Sequence, residues 1–251
     1  MQKEEQQLQK RFIELSRLAY SRNIVTYTDF LNMNELNILH TLPKDQLYTQ
    51  YETYGGYELA ERQMVAFLPD ALYSELDYPY HVYRILPLNR RYAEELSHRD
   101  YLGAILNLGI ERCKTGDILV TKDDAVIFLQ ETLGDFVKSE LTRIRHTQIQ
   151  VTEEHQKEFH YTPKYEEIKG TVASIRLDSL LSLAYNTSRS KMVELIEGAR
   201  VSVNGKLITT NSYQIKEKDV ISVRGKGRFR FEEIISHTKK DRIYISIYKY
   251  S

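Results

Sequence analysis

Residues 187–206 read TSRSKMVELIEGARVSVNGK, and the elements around this stretch follow from three of its features. Ser188 stands at a helix N-cap position ahead of Met192, Val193, Leu195 and Ile196, which share one helical face, and Gly198 falls just past the helix end. Val201 and Val203 alternate as a strand into Asn204-Gly205, the strongest short hairpin signal in the chain, and Lys206–Ile208 returns. Arg189 and Lys191 occupy the first helical turn, where a cation opposes the helix dipole at a cost of about 0.3–1 kcal/mol. That end of a helix also offers free N–H groups to an anion. The pattern makes physical sense if the two cations meet phosphate.

Upstream, Leu177, Leu180, Leu181 and Ala184 fall on one face of a first helix, which Asn186-Thr187-Ser188 breaks. Downstream, Asp219–Val223 reads as a strand. In GKGRFRF (residues 225–231), Arg228 and Arg230 alternate with Phe229 and Phe231. Arginine suits phosphate and an aromatic face suits a base; a strand with both phenylalanines in the core fits the same pattern. GKGRFRF lacks a following helix and a Lys-Ser/Thr pair, so it is not a nucleotide-phosphate loop.

Charge follows the same division. The chain of 251 residues is neutral, with 35 Lys and Arg against 35 Asp and Glu. Arg176–Arg230 holds 11 of the basic and 5 of the acidic residues, a net of +6, which leaves −6 for the remainder. Basic charge gathered in one segment favours a polyanionic partner. A hydrophobic fraction of 41% and a charged fraction of 28% are those of a globular protein with room for two or three small domains. No apolar run is long enough for a membrane span, and the opening MQKEEQQLQKRF is too polar for a secretory signal. One cysteine, Cys113, excludes an internal disulfide and a thiolate zinc cluster. These features predict a cytoplasmic protein without a membrane partner.

The pattern R-L-D-x-x-L, then S-R followed by I-x-x-G-x-V-x-V-N-G-K, then K-D-x-I-x-V closely resembles the S-four domain, the small RNA-binding module first seen in a small-subunit ribosomal protein. The resemblance covers about residues 174–231. It implies a basic surface on structured RNA that uses Arg176, Ser188, Arg189, Lys191, Arg200, Asn204 and Lys206. Tyr185-Asn186 stands where many members have glycine or alanine. HRDYLGAILNLGIERCKTGDILV (residues 98–120), TDFLNMNE and ERQMVAFLP resemble the YlmH-like proteins of Firmicutes over nearly the whole chain. This second resemblance implies a non-catalytic RNA-binding protein that docks on the large ribosomal subunit, on rRNA and peptidyl-tRNA, in ribosome-associated quality control. It also implies a monomer with no cofactor, and contacts to ribosomal or quality-control proteins through the N-terminal region.

The rest of the chain is read by periodicity. Residues 3–20 form an amphipathic helix, and Thr28-Asp29 cap a second that runs to Pro43. Tyr48–Tyr54 and Gln63–Leu68 form a hairpin around Gly55-Gly56. Tyr80–Leu86, a helix from Ser97, Asp117–Thr121, Ala125–Leu129, a helix Glu131–Leu141 and the strand Arg143–Val151 give the order β-α-β-β-α-β, a ferredoxin-like or RRM-like plait. The aromatic stacking motif of RNA-recognition modules is missing from both candidate central strands. The fold class is thus α+β, with N-terminal helices and a hairpin at 1–74, the plait, a candidate RNA-binding domain, at 75–155, a linker at 156–173, and the S-four module with a C-terminal strand extension at 174–251.

Three motifs imitate other chemistry. His98-Arg99-Asp100 resembles a kinase catalytic loop, but Ile105 stands where that loop needs asparagine, and no glycine-rich loop precedes it. His98 and Arg99 are read instead as phosphate contacts, with Asp100 suiting the positive helix end. Arg176-Leu177-Asp178 imitates the catalytic triplet of pseudouridine synthases, but lies inside the small module's first helix, where Asp178 is read as an internal cap or ion-pair partner. His155 and His160 are five apart with no cysteine nearby, short of a zinc site. The rival functions are an RNA-modifying enzyme, pseudouridine-synthase-like, and a ribosome-assembly or cell-division adaptor.

Overall fold

A computed structural model describes residues 2–58, 60–70, 75–154, 159, 161, 164–238 and 241–250. It divides into two units, Met1–Tyr161 and Thr162–Ser251. The first opens with α1 (Gln2–Arg22), β1 (Thr26–Tyr27), α2 (Met33–Thr41), β2 (Gln50–Tyr54) and β3 (Met64–Leu68). The strands pair antiparallel in the order β1-β3-β2. Phe12, Leu15 and Ala19, at helical spacing on α1, pack with Leu36 and Leu39 of α2 and with Val65 and Phe67 of β3. The cap of α2 is Asn32 and not Thr28-Asp29. Asn32 Oδ1 accepts from the N–H groups of Asn34 and Glu35, and Glu35 Oε2 accepts from the Asn32 N–H at 2.7 Å. Thr28 is spent on β3, its hydroxyl oxygen accepting from the Val65 N–H.

The plait follows as β4 (Tyr80–Pro87), α3 (His98–Asn107), β5 (Thr115–Val120), β6 (Ala125–Gln130), α4 (Gly134–Glu140), β7 (Arg143–Ile144) and β8 (Thr147–Glu154). Its antiparallel sheet has the order β5-β6-β4-β8-β7. Without the small edge strand β7, this is the arrangement of the split β-α-β fold. The single strand expected at 143–151 is a hairpin, because Arg145 takes the left-handed conformation at φ 52° and turns the chain back. The helix expected from residue 131 begins as one 3-10 turn before α4.

The two parts of this unit share a buried polar centre. Asp117 of β5 accepts from the Tyr57 hydroxyl at 2.7 Å and from the N–H groups of Glu61 and Arg62. The Arg62 guanidinium donates to the carbonyls of Thr115 and Phe30, and Arg112 donates to those of Thr115 and Gly116. Burial, aided by the neighbouring Arg62 charge, pushes the Arg112 guanidinium down to about 10. These charged groups are drawn inside with hydrogen-bond partners, as burial requires.

The helices cover one face of the plait sheet, where Tyr83, Ile85, Ile127 and Leu129 meet Tyr101, Ile105 and Val137. Tyr80 and Phe128 point to the opposite face, and both are buried. Phe30 lies 5.8 Å from the Tyr80 ring, while Tyr57 and Phe159 lie 5.8 and 5.5 Å from Phe128. Gly56, at φ +100°, lets the backbone press on Phe128: a Cβ there would sit 2.2 Å from Cε1. The N-terminal part therefore seals the sheet face around Tyr80 and Phe128.

The second unit contains β9 (Tyr165–Val172), α5 (Leu177–Ala184), α6 (Arg189–Glu197), β10 (Val201–Val203), β11 (Lys206–Leu207), β12 (Val220–Val223), β13 (Gly227–His237) and β14 (Ile243–Tyr250). They form one antiparallel sheet in the order β11-β10-β12-β13-β14-β9. Leu177, Leu180, Leu181, Met192 and Ile196 pack on Val201, Ile221, Phe229, Phe231, Ile245 and Ile247. Asn204 and Gly205 have φ 48° and 79°, as a type I′ turn demands. Part of the stretch read as linker is strand β9, held along its length by β14. Among the described residues, no helix is long and apolar enough to cross a membrane. His155 and His160 lie outside the described residues.

Candidate RNA-binding surface

Arg176 is the N-cap residue of α5, and Asp178 sits in the first turn, 3% exposed. Its Oδ2 accepts from Arg176 Nη2 at 3.2 Å and from Arg189 Nη2 at 2.5 Å. One buried carboxylate thus joins the start of α5 to the start of α6. Asp178 is an ion-pair partner inside the module, and both guanidiniums keep part of their surface in water, with side chains 34% and 51% exposed. Arg189, read from the sequence as facing phosphate, commits one arm to Asp178. Arg176 Nε is buried without a hydrogen-bond partner.

Ser188 precedes α6 as expected, but its hydroxyl lies 3.1 Å from that of Ser190 and caps no helix N–H. Lys191 is exposed in the first turn, Arg200 in the loop after α6 and Lys206 in β11. Lys191 and Arg200 lie near opposite ends of α6, a helix of roughly 12 Å at 1.5 Å per residue. The Arg200 carbonyl accepts from the Arg224 N–H at 2.9 Å, which brings exposed Arg224 beside it, with the turn that carries exposed Lys226, whose ammonium lies 5.8 Å from the Tyr185 ring. These two add to the segment's positive charge in the sequence, but nothing local to them points to the site. Only the sheet register brings them there.

Asn204, exposed in the hairpin turn, has its side chain engaged inside the module. Its Nδ2 donates to Asp219 at 2.7 Å and its Oδ1 accepts from the Val220 N–H, so the side chain holds the hairpin to β12. Phe229 and Phe231 are core residues, 0% and 1% exposed. Arg228 and Arg230 point to the other face of the sheet by strand alternation. There Arg230 Nε donates to Glu232 at 2.8 Å and its guanidinium lies 5.6 Å from the Tyr248 ring. Arg228 and Arg230 therefore lie on the outer sheet face, apart from the helix-end cations of the S-four pattern. Tyr185, which departs from the S-four pattern, docks α5 on β13. Its hydroxyl donates to the Gly227 carbonyl at 3.1 Å, its ring meets Phe229 edge-on, and burial pushes the phenol up to about 12.

His98 and Arg99 are exposed in the first turn of α3, in the other unit. Asp100 accepts from the Ser97 hydroxyl and N–H at 2.7 and 2.8 Å, which holds its carboxyl below the usual carboxylate range. Among the described residues, no group of His, Cys, Asp and Glu could hold a metal ion.

Residues 74–158 match the family model described as "Putative RNA-binding domain in YlmH", and residues 175–221 match the S4 domain. The ribosome-associated protein quality control protein P2 of Bacillus subtilis (strain 168) is 29% identical over 234 residues, 92% of this chain and 89% of that protein. A protein of Aquifex aeolicus (strain VF5) named as an uncharacterized RNA pseudouridine synthase is 35% identical over 75 residues. That match spans 30% of this chain and 28% of the relative. The solved structure of cell division protein ylmH from Streptococcus pneumoniae shares the fold, with a TM-score of 0.51 and 24% identity over 62% of this chain and 93% of the other.

Proposed function

We propose that this chain, a YlmH-like protein with a C-terminal S4 domain, is a non-catalytic RNA-binding protein of ribosome-associated quality control. It docks on the large ribosomal subunit through rRNA and peptidyl-tRNA. The observation that carries this reading is the match along 92% of the chain to a relative named for that process. The geometry agrees with it: Lys191, Arg200, Lys206, Arg224 and Lys226 are exposed on the S4 unit, where cations neutralise backbone phosphates. Asp178, the residue a pseudouridine synthase reading needs, is buried beneath two guanidiniums. A cytoplasmic monomer follows from the same reading.

Sedimentation of cell extract through a sucrose gradient tests the partner. The protein should travel with free large subunits and be enriched where peptidyl-tRNA is retained; recovery with small subunits alone would remove the reading. Filter binding to a labelled rRNA hairpin tests the surface. Lys191→Glu should weaken binding more than Lys216→Glu, and the log–log salt slope should flatten by roughly 0.7–0.9 for every phosphate no longer neutralised. Equal affinities for both variants and the wild type would reject the helix-end surface.

A further inference from the structure

The face that a split β-α-β sheet usually offers to RNA is closed around its two aromatic residues, since Tyr80 and Phe128 are 1% and 0% exposed beneath N-terminal residues. An RNA contact on this unit needs another surface. A groove of about 500 Å³ lies between α3 and the β7–β8 hairpin, lined by Arg99, Arg143 and Arg145, with Gly103 and Ala104 among its small residues. We infer that this groove holds a stretch of RNA sugar–phosphate backbone, making it a second RNA contact beside that of the S4 unit. The inference rests on the RNA-binding reading above.

Three guanidiniums meet two carboxylates along the groove, Asp100 and Glu140. Asp100 is largely occupied: it accepts two hydrogen bonds from Ser97, and its other oxygen lies 3.7 Å from Arg145 Nη1. It acts as a bracket that aims Arg145. Arg143 is braced by donating from Nε to the Arg145 carbonyl at 2.6 Å, which leaves its terminal nitrogens for a ligand. Arg145 itself sits at φ 52° in the hairpin turn, a conformation that disfavours a long side chain. Exposed His98 and His146 are the chain neighbours of Arg99 and Arg145.

The groove suits a phosphodiester better than a protein segment. A Cβ built on Gly103 meets nothing within 4 Å, so the helix backbone there is open to close approach. Leu141 and Ile144, both in the lining, are 3% and 1% exposed, which leaves only the half-buried Ala104 and Leu108 as apolar side chains for the anchors that protein partners use. Guanidinium forks match phosphate oxygens.

The test uses the full chain and a 4-thiouridine-labelled rRNA hairpin. Arg99→Glu with Arg145→Glu should weaken binding at least five-fold and reduce the salt slope. Gly103→Gln, which fills the groove with a residue that favours helix, should weaken binding about three-fold with the fold intact. Crosslinks should map to residues 98–108 and 140–146. If both variants bind the RNA as wild type while Lys191→Glu is weakened, the groove inference is overturned and the S4 contact stands. If Lys191→Glu is also unaffected, the RNA-binding reading itself falls. Unchanged RNA binding with loss of binding to a poly-glutamate peptide would reassign the groove to an acidic protein segment and overturn the inference.

Discussion

Asp178→Asn separates a structural carboxylate from a catalytic one. Asparagine keeps the volume and one carbonyl acceptor, but it removes the charge that faces Arg176 and Arg189 and sets an amide donor against a guanidinium. Removing one partner from a fully buried ion pair costs about 3–5 kcal/mol. The guanidiniums left behind here belong to side chains 34% and 51% exposed, so they recover part of their hydration, and the expected cost falls to about 1–3 kcal/mol. In a unit of the size of Thr162–Ser251, this lowers the melting midpoint by on the order of 10 °C. Urea unfolding at neutral pH and fixed salt, followed by circular dichroism and tyrosine fluorescence, measures the loss. RNA affinity should hold or rise, because two cations are released from their counter-charge. A catalytic aspartate predicts the reverse: an unchanged urea midpoint and loss of uridine isomerisation. An unchanged midpoint would refute the reasoning that Asp178 joins the two helices.

Two further outcomes follow from the first unit. Gly56→Ala places a Cβ against the Phe128 ring at a positive φ, which should destabilise the unit by about 2–4 kcal/mol in a thermal melt; a change within ~0.5 kcal/mol would mean the sealed face yields easily. The Asp100 carboxyl is held low first by the Ser97 hydroxyl and then by the Ser97 N–H, so its contribution is complete above the ordinary aspartate value near pH 4 and is lost as pH falls through the lower folded value. The protection factor at the start of α3, taken relative to the intrinsic exchange rate at each pH, should therefore fall on acidification in the wild type and change less in Asp100→Asn.

Legibility from sequence followed the range of the signals. The α6–hairpin stretch was readable because its cap position, Gly198 and Asn204-Gly205 are local. The plait was readable because its strands and helices keep their periods. Strand β9 was not. Its sequence, YEEIKGTV, has only Ile168 and Val172 as apolar residues on the inward side, and Gly170 between them makes room for Leu183, whose Cδ1 would lie 2.4 Å from an added Cβ. The β7–β8 turn was hidden because Arg145-His146 carries no turn chemistry. The pair between Arg189 and Asp178 spans eleven residues and depends on how two helices meet, which no periodicity encodes. For the same reason, the alternation of Phe229 and Phe231 fits a core and a stacking role equally, and only their burial in the sheet decides for the core.

The pairing of β9 with β14 bears on how the second unit can be cut out. The S4 match begins at residue 175, and a fragment started there would lack β9 and leave Ile243–Tyr250 as the sheet border. Every second residue of the eight in β14 would then show an unpaired amide and carbonyl in a strand that carries Ile245 and Ile247, a template for strand addition by a second molecule. Tyr165, stacked 4.2 Å from Tyr248, would be lost as well. A fragment carrying residues 162–174 keeps that border closed, so self-association of the shorter piece would report an opened sheet and not a property of the intact chain.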